Sequence, residues 1–145
     1  GIEIPILGGD TLDSNMVLEA AAGSDVQLYV STFYQEGGSP KFDDGIKAWL
    51  NEDSTAMTNN GGNDTIAAVT AMGYDAYYVA LEALKAAGST DKAAVKAALP
   101  DVTYTGVSGS IAFDEQGDAI RDTAYIKTAD TANNAWTLET VQTVE

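Results

Sequence analysis

The chain has 145 residues, 45% of them hydrophobic, enough for the core of one domain or for one piece of a larger fold. Its 7 Lys and Arg face 22 Asp and Glu, a formal net charge of −15 that argues against nucleic acid and against docking on anionic lipid. Cys and His are both absent, which excludes disulfides, thiolate chemistry, His-based triads and His-ligated zinc, and no run of ~18 apolar residues is long enough to span a membrane.

Residues 4–8 (Ile4-Pro5-Ile6-Leu7-Gly8) read as a short strand, followed by a glycine turn that delivers Asp10 and Thr11 to the mouth of a helix. Open α/β sheets bind ligands outside the carboxyl ends of their strands. A fixed carboxylate there suits a cationic group and suits phosphate badly, because phosphate wants bare N–H groups or Lys/Arg. Asp13 or Ser14 is placed to cap the helix, whose apolar stripe is Val17, Leu18, Ala21 and Ala22, with Gly23 just past its end. Val26 to Tyr34 is rich in β-branched and aromatic residues and predicts a second strand. After a loop with Gly37, Gly38 and Pro40, the residues Phe42, Ile46, Trp49 and Leu50 fall at helical spacing. Strand, helix, strand, helix is the pattern of an α/β fold with a parallel sheet flanked by helices.

Asn59 to Asp64 interrupts that pattern as a linker or crossover. The longest predicted helix follows, from Thr65 to Ala87, with an expected inward stripe of Ile66, Val69, Gly73, Tyr77, Ala80, Leu84 and Ala87. A short helix capped by Ser89 or Thr90 runs to Leu99, where Pro100 stops it. Four strands are then predicted over 102–105, 108–113, 123–128 and 136–144. The acidic turn at Asp114 to Asp118 lacks the spacing of a calcium loop and reads as a hairpin turn, so no metal is expected. Trp49 and Trp136 have the setting of core residues.

Four segments in order, Ile6-Leu7-Gly8-Gly9-Asp10-Thr11, Tyr29-Val30-Ser31-Thr32-Phe33-Tyr34, Met72-Gly73-Tyr74-Asp75-Ala76 and Gly106 to Asp114, make the chain resemble the extracytoplasmic solute-binding receptors of branched-chain amino acid ABC transporters. The resemblance implies the type I periplasmic-binding-protein fold, two α/β lobes closing like a hinge, with only part of the two-lobed receptor present. It places residues 1–56 in the second lobe, 57–64 in a linker, 65–105 in helices of the first lobe and 106–145 in a strand-rich tail that crosses back. It also implies no cofactor, an amino-acid ligand, an ABC permease as partner of the full-length protein, and an extracytoplasmic location, periplasmic or as a cell-surface lipoprotein.

Asp10 is the first candidate ligand residue. By the resemblance, an acid at this strand end accepts a hydrogen bond from the ligand's α-ammonium; the alternative is a carboxylate that caps the next helix or bonds the glycine turn. Thr11 is placed either to cap or to touch ligand. Tyr34, ending the second strand, would face the same cleft, against the alternative of a core or rim tyrosine, and Phe33 alternates with it toward the core. Asp75, beside Tyr74 in the long helix, lies near hinge and cleft by the resemblance, against the alternative of an exposed or internally paired Asp. The ligand's carboxylate would be held by first-lobe residues outside this chain, so the chain by itself is expected to bind weakly and to self-associate or pair with the missing part. A sensory ectodomain shares every one of these features. An enzyme using paired carboxylates such as Asp10 and Asp13 is the alternative of another class, with no nucleophile–base set and no P-loop to support it.

Overall fold

The computed structural model describes residues 3–143, so Val144, the expected end of the last strand, lies outside them. Strand β1 (Ile6–Gly8) runs through a single 3₁₀ turn, Asp10–Leu12, into helix α1 (Asn15–Ala21). The cap of α1 is Ser14, whose Oγ accepts from the Val17 N–H at 3.3 Å, and Gly23 takes φ +70° just beyond the helix, a conformation that favours glycine. Strand β2 is Leu28–Thr32, shorter than the predicted Val26–Tyr34 because the chain leaves the sheet at Phe33 to form the loop before α2 (Pro40–Glu52). Helix α3 (Ser54–Asn59) follows after Asp53, which caps it by accepting from the Thr55 and Ala56 N–H groups.

Helix α4 (Ala68–Ala87) is the longest element and ends at Gly88 with φ +57°. Helix α5 (Lys92–Ala98) is capped by Asp91 rather than by Ser89 or Thr90, and a 3₁₀ turn through Pro100 closes it. The strands β3 (Tyr104–Gly106), β4 (Gly109–Phe113), β5 (Ala119–Ile120), β6 (Thr123–Asp130) and β7 (Ala135–Thr143) complete the chain. Asp114 forms the expected hairpin turn, its Oδ1 accepting from Gln116 and Asp118 N–H groups.

Two sheets result. The larger has the order β1-β2-β6-β7, and the smaller is the antiparallel β3-β4-β5. The parallel pair expected from the leading strand–helix–strand pattern is β1 with β2, in register Ile6 opposite Leu28. The strands of the tail add to this pair antiparallel, β6 against β2 and β7 against β6, and make the sheet mixed. Leu28, Val30 and Thr32 turn inward along β2, a period-two burial expected of a sheet covered on one face.

Helix α4 corrects the predicted stripe. Its buried residues are Ala68, Ala71, Asp75, Val79 and Ala83, whereas Val69, Tyr77 and Leu84 point outward, Tyr77 with 62% of its surface exposed. The helix is apolar on both faces, so periodicity alone could not say which face the sheet would take, and Asp75 was the inward residue that broke the apolar pattern. Trp49 is likewise 53% exposed on the outside of α2 rather than in the core, while Trp136 is half-buried with its indole N–H donating to the Ser14 carbonyl at 3.4 Å.

A buried ion pair ties the larger sheet to α4. Lys127 of β6 and Asp13 are 3% and 2% exposed, and the ammonium donates to Asp13 Oδ2 at 2.9 Å. The same oxygen accepts from Thr32 Oγ1 at 2.9 Å and from the Ala68 N–H at 3.3 Å. Removing one partner leaves the other's charge buried and unpaired. Lys127→Met is therefore expected to cost about 3–5 kcal/mol of stability, and Asp13→Asn with Lys127→Met to recover most of that loss, both read from urea unfolding. A loss below about 1 kcal/mol in the single variant would show that the pair is not buried as described.

Candidate functional site

Asp10 sits in the 3₁₀ turn directly after β1, at the carboxyl end of the parallel β1–β2 pair. The turn is held by its own backbone: Leu12 N–H donates to the Gly9 carbonyl and Asp13 N–H to the Asp10 carbonyl, each at 3.0 Å. The turn is anchored below by Asp13, whose side chain is fixed in the buried pair. Asp10's own carboxylate is half-buried and has no hydrogen-bond or ion-pair partner among the described residues. Thr11 beside it is exposed, and its hydroxyl is also free of partners among the described residues.

Tyr34 is placed elsewhere. It is 2% exposed, and its ring packs in a core cluster with Phe42, Ile66, Ala68 and Ala71. Its hydroxyl donates to Asp43 Oδ1 at 2.6 Å and accepts from the Ser39 N–H at 3.2 Å. Asp43 Oδ2 accepts in turn from the Gly37 N–H at 2.7 Å, so the pair shapes the loop from β2 into α2. Burial first, and the adjacent Asp43 carboxylate second, push the Tyr34 phenol well above its ordinary value near 10. Phe33, expected in the core, is half-buried beneath the Arg121 guanidinium, 4.9 Å from the ring centre.

Asp75 is fully buried in the middle of α4 and is internally paired. Its Oδ1 accepts from the Val107 N–H at 2.9 Å, and its Oδ2 accepts from the Ser108 N–H at 2.7 Å and from the Ser108 hydroxyl at 2.5 Å. Arg121 grips the other side of Ser108, donating to its carbonyl at 3.0 Å and to its hydroxyl at 3.2 Å. Gly106 packs on the carboxylate so closely that a Cβ there would collide with it. Asp75 thus clamps the β3–β4 turn onto α4.

No hydrogen bond among the described residues joins Asp10 and Thr11 to Tyr34 or Asp75. The residues that sequence reasoning missed are the supports: Asp43, Lys127, and Tyr78 and Tyr104, which continue Tyr34, Phe42 and Tyr74 into an aromatic line whose successive ring centres lie 4.9 to 6.0 Å apart. Lys127 carried a readable signal, a lone cation within an alternating strand; Asp43 carried none. Beside the Asp13–Lys127 pair lies a polar cavity of about 410 Å³ lined also by Gln35, Thr65 and Trp136, where Gln35 Oε1 is buried without a partner among the described residues. No cluster of acidic side chains among the described residues has the geometry to hold a metal ion.

A family model described as periplasmic binding protein matches residues 1–134. Among solved structures, a leucine binding protein from Thermotoga maritima is similar at 27% identity and a TM-score of 0.71, over 99% of this chain and 38% of that one. A branched-chain amino acid transporter substrate binding protein from Streptococcus pneumoniae, solved with isoleucine, shares the fold at 23% identity and a TM-score of 0.63, with the same two coverages. An ABC transporter substrate-binding protein from Desulfitobacterium hafniense, solved with Leu, does so at 24% identity and a TM-score of 0.62, over 95% of this chain and 36% of that one. The chain spans well under half the length of each. A comparison with the curated proteins finds no match.

The raised Tyr34 phenol sets a pH dependence. The unfolded chain releases this proton near pH 10 while the folded chain keeps it, so stability is fully present below pH 10 and falls as pH rises above it. Urea midpoints measured from pH 8 to 11 are expected to drop more steeply above pH 10 in the wild-type chain than in Tyr34→Phe. Parallel curves would remove the Tyr34 phenol as the cause.

Proposed function

The chain belongs to the periplasmic binding protein family, and on that premise we propose that it takes part in capturing a small zwitterion, an aliphatic amino acid, for an ABC transporter. The observation that carries this reading is the unspent carboxylate of Asp10. Asp43 and Asp75 are buried with both oxygens committed to N–H or hydroxyl donors, and Asp13 is buried with its Oδ2 committed to ammonium, hydroxyl and N–H donors, whereas Asp10 stands at a strand end, reachable and unpaired among the described residues. A carboxylate so placed accepts a charge-assisted hydrogen bond from an α-ammonium, with Thr11 offering a neutral donor or acceptor alongside. The isoleucine and leucine bound by the Streptococcus pneumoniae and Desulfitobacterium hafniense proteins support an aliphatic ligand.

In this reading β1, β2, β6 and β7 with α1 to α3 form part of one lobe, and α4, α5 and β3 to β5 form part of the other. The segments at Asn60–Ala67 and Arg121–Asp122 are the crossovers of a hinge. Tyr34 and Asp75 then serve the site as its frame: Tyr34 fixes the loop after β2, and Asp75 fixes the β3–β4 turn on α4. The ligand's carboxylate is held by residues outside this chain, the full receptor works outside the cytoplasm, and an ABC permease takes the ligand from it. No covalent step is involved, and the proposed role is binding and release.

The test uses the chain itself, labelled with ¹⁵N and titrated with leucine. The amide signals of Gly8 to Thr11 are expected to move, N-acetyl-leucine, which lacks the ammonium, to leave them still, and Asp10→Ala to weaken binding about tenfold to a hundredfold. Equal binding of N-acetyl-leucine, or an Asp10→Ala chain that binds as well as wild type, would overturn the assignment.

A further inference from the structure

Asp13 closes the turn that carries Asp10. Its N–H donates to the Asp10 carbonyl at 3.0 Å, between the bond from Leu12 to Gly9 and the bond from Ser14 to Leu12, so three successive backbone bonds hold the turn. Leu12 also folds back over Gly8, where a Cβ would collide with its side chain. A displacement at Asp10 is therefore carried to Asp13. Asp13 Oδ2 takes three donors, and they are not equivalent. Lys127 and Thr32 lie on β6 and β2, in the same sheet as the turn, each at 2.9 Å. The Ala68 N–H, at 3.3 Å, opens α4 and belongs to the other set of elements. Among the described residues it makes the one hydrogen bond between residues 68–120 and the rest of the chain outside the two crossovers.

The donors also differ in what their release costs. Releasing Lys127 leaves two buried charges apart. Releasing the Ala68 N–H leaves Asp13 paired with Lys127 and Thr32 and frees one neutral donor. That donor is among those a helix N-terminus leaves without an intrahelical partner, and Ala67 at the N-cap has no side chain to take it. Asp13 takes it when α4 is seated, and water takes it when α4 swings away. The seat around it is apolar: Ala68 and Ala71 pack on Tyr34, Phe42 and Ile66, and the Tyr74 ring centre lies 5.0 Å from that of Phe42. Apolar contact is non-directional, so the polar bond is what selects one angle between the two sets.

We propose that Asp13 is a positioning residue that couples ligand capture at Asp10 to closure of the lobes. The bond from the Ala68 N–H to Asp13 is made in the closed arrangement and broken in the open one. A ligand held by Asp10 favours the closed arrangement by fixing the turn at the seat of α4. The inference rests on the reading of Asp10 and of the two lobes given above. Such coupling is reciprocal: what leucine does for the bond, the bond does for leucine.

Amide hydrogen exchange of the ¹⁵N-labelled chain, with and without leucine, reads this bond directly. Leucine is expected to slow exchange of the Ala68 N–H about tenfold more than that of Leu18 on Ser14 or Ser108 on Asp75, whose bonds lie within one set of elements. Equal slowing at all three is stabilisation of the whole fold and overturns the coupling. Ala68→Pro removes this donor alone, because proline suits the first position of a helix and Ala67, at φ −73° and ψ 153°, already has the backbone of a residue before proline. The variant is expected to bind leucine about fivefold to tenfold more weakly, with the Gly8 to Thr11 signals still moving. Wild-type affinity overturns the coupling; where the variant does not fold, the exchange comparison in the wild-type chain decides. Leucine that moves Gly8 to Thr11 without favouring Ala68 sinks the coupling and leaves the Asp10 reading standing. Leucine that moves none of these signals removes that reading, and the coupling falls with it.

Discussion

One carboxylate oxygen organises the larger sheet. Asp13 Oδ2 takes hydrogen bonds from Lys127 of β6, Thr32 of β2 and the Ala68 N–H that opens α4, three segments separated in sequence by as many as 114 residues. The last of these matters because α4 has no side-chain cap of its own, Ala67 standing at its N-cap. A negative charge at a helix N-terminus is favourable, and here it comes from a residue that also anchors the turn carrying Asp10. A buried pair of this kind is weak as a source of net stability against an apolar alternative, but it is unforgiving of rearrangement, since any shift leaves a charge without a partner. The constraint it imposes is one of register: β2, β6, the Asp10 turn and the start of α4 occupy one arrangement.

The same logic recurs at Asp43 and Asp75. Each is an acid in an interior position that earns its place by accepting backbone N–H groups which burial would otherwise leave unsatisfied. Asp75 holds two consecutive N–H groups of the β3–β4 turn, with Arg121 completing the grip through Ser108, and Asp43 holds the turn at Gly37 through Tyr34 and its own second oxygen. In a chain with 22 acids the informative distinction is thus between carboxylates committed to the fold and carboxylates left over at a structured position. Asp10 belongs to the second kind, and the geometry of its turn is maintained by a member of the first, three residues away.

This division also explains what was legible beforehand. The leading strand–turn–helix, the caps at Ser14 and Gly23, the hairpin at Asp114 and the family resemblance were all carried by local residue chemistry, and local chemistry survives folding. The position of Asp10 at a strand end was readable for the same reason. The inward face of α4 was not, because Val69, Tyr77 and Leu84 supply as good an apolar stripe as Ala71, Val79 and Ala83; the choice was made by Asp75 and its three donors, contacts that lie more than thirty residues away. Trp49 misled for a related reason, since a large apolar side chain at helical spacing says nothing about which elements will be there to cover it. The aromatic line from Tyr34 to Tyr104 spans the loop after β2, α2, α4 and β3, and only the i, i+4 pair Tyr74 and Tyr78 within it had a sequence signature.

Cations obey the rule that the carboxylates reveal. Lys127 is committed to the interior, Lys47 and Lys85 are paired at the surface, and Arg121 is held by Ser108. That leaves Lys41 on α2 with Lys92 and Lys96 on α5, and only the last two flank an apolar trough. Helix α4 separates the two sets of uncommitted charge: the end joined to Asp13 leads to the free carboxylate of Asp10, and the far end, at Leu84, forms a wall beneath the free ammonium groups of α5. An apolar helix with commitments on one face and exposed hydrophobics on the other cannot lie bare without cost.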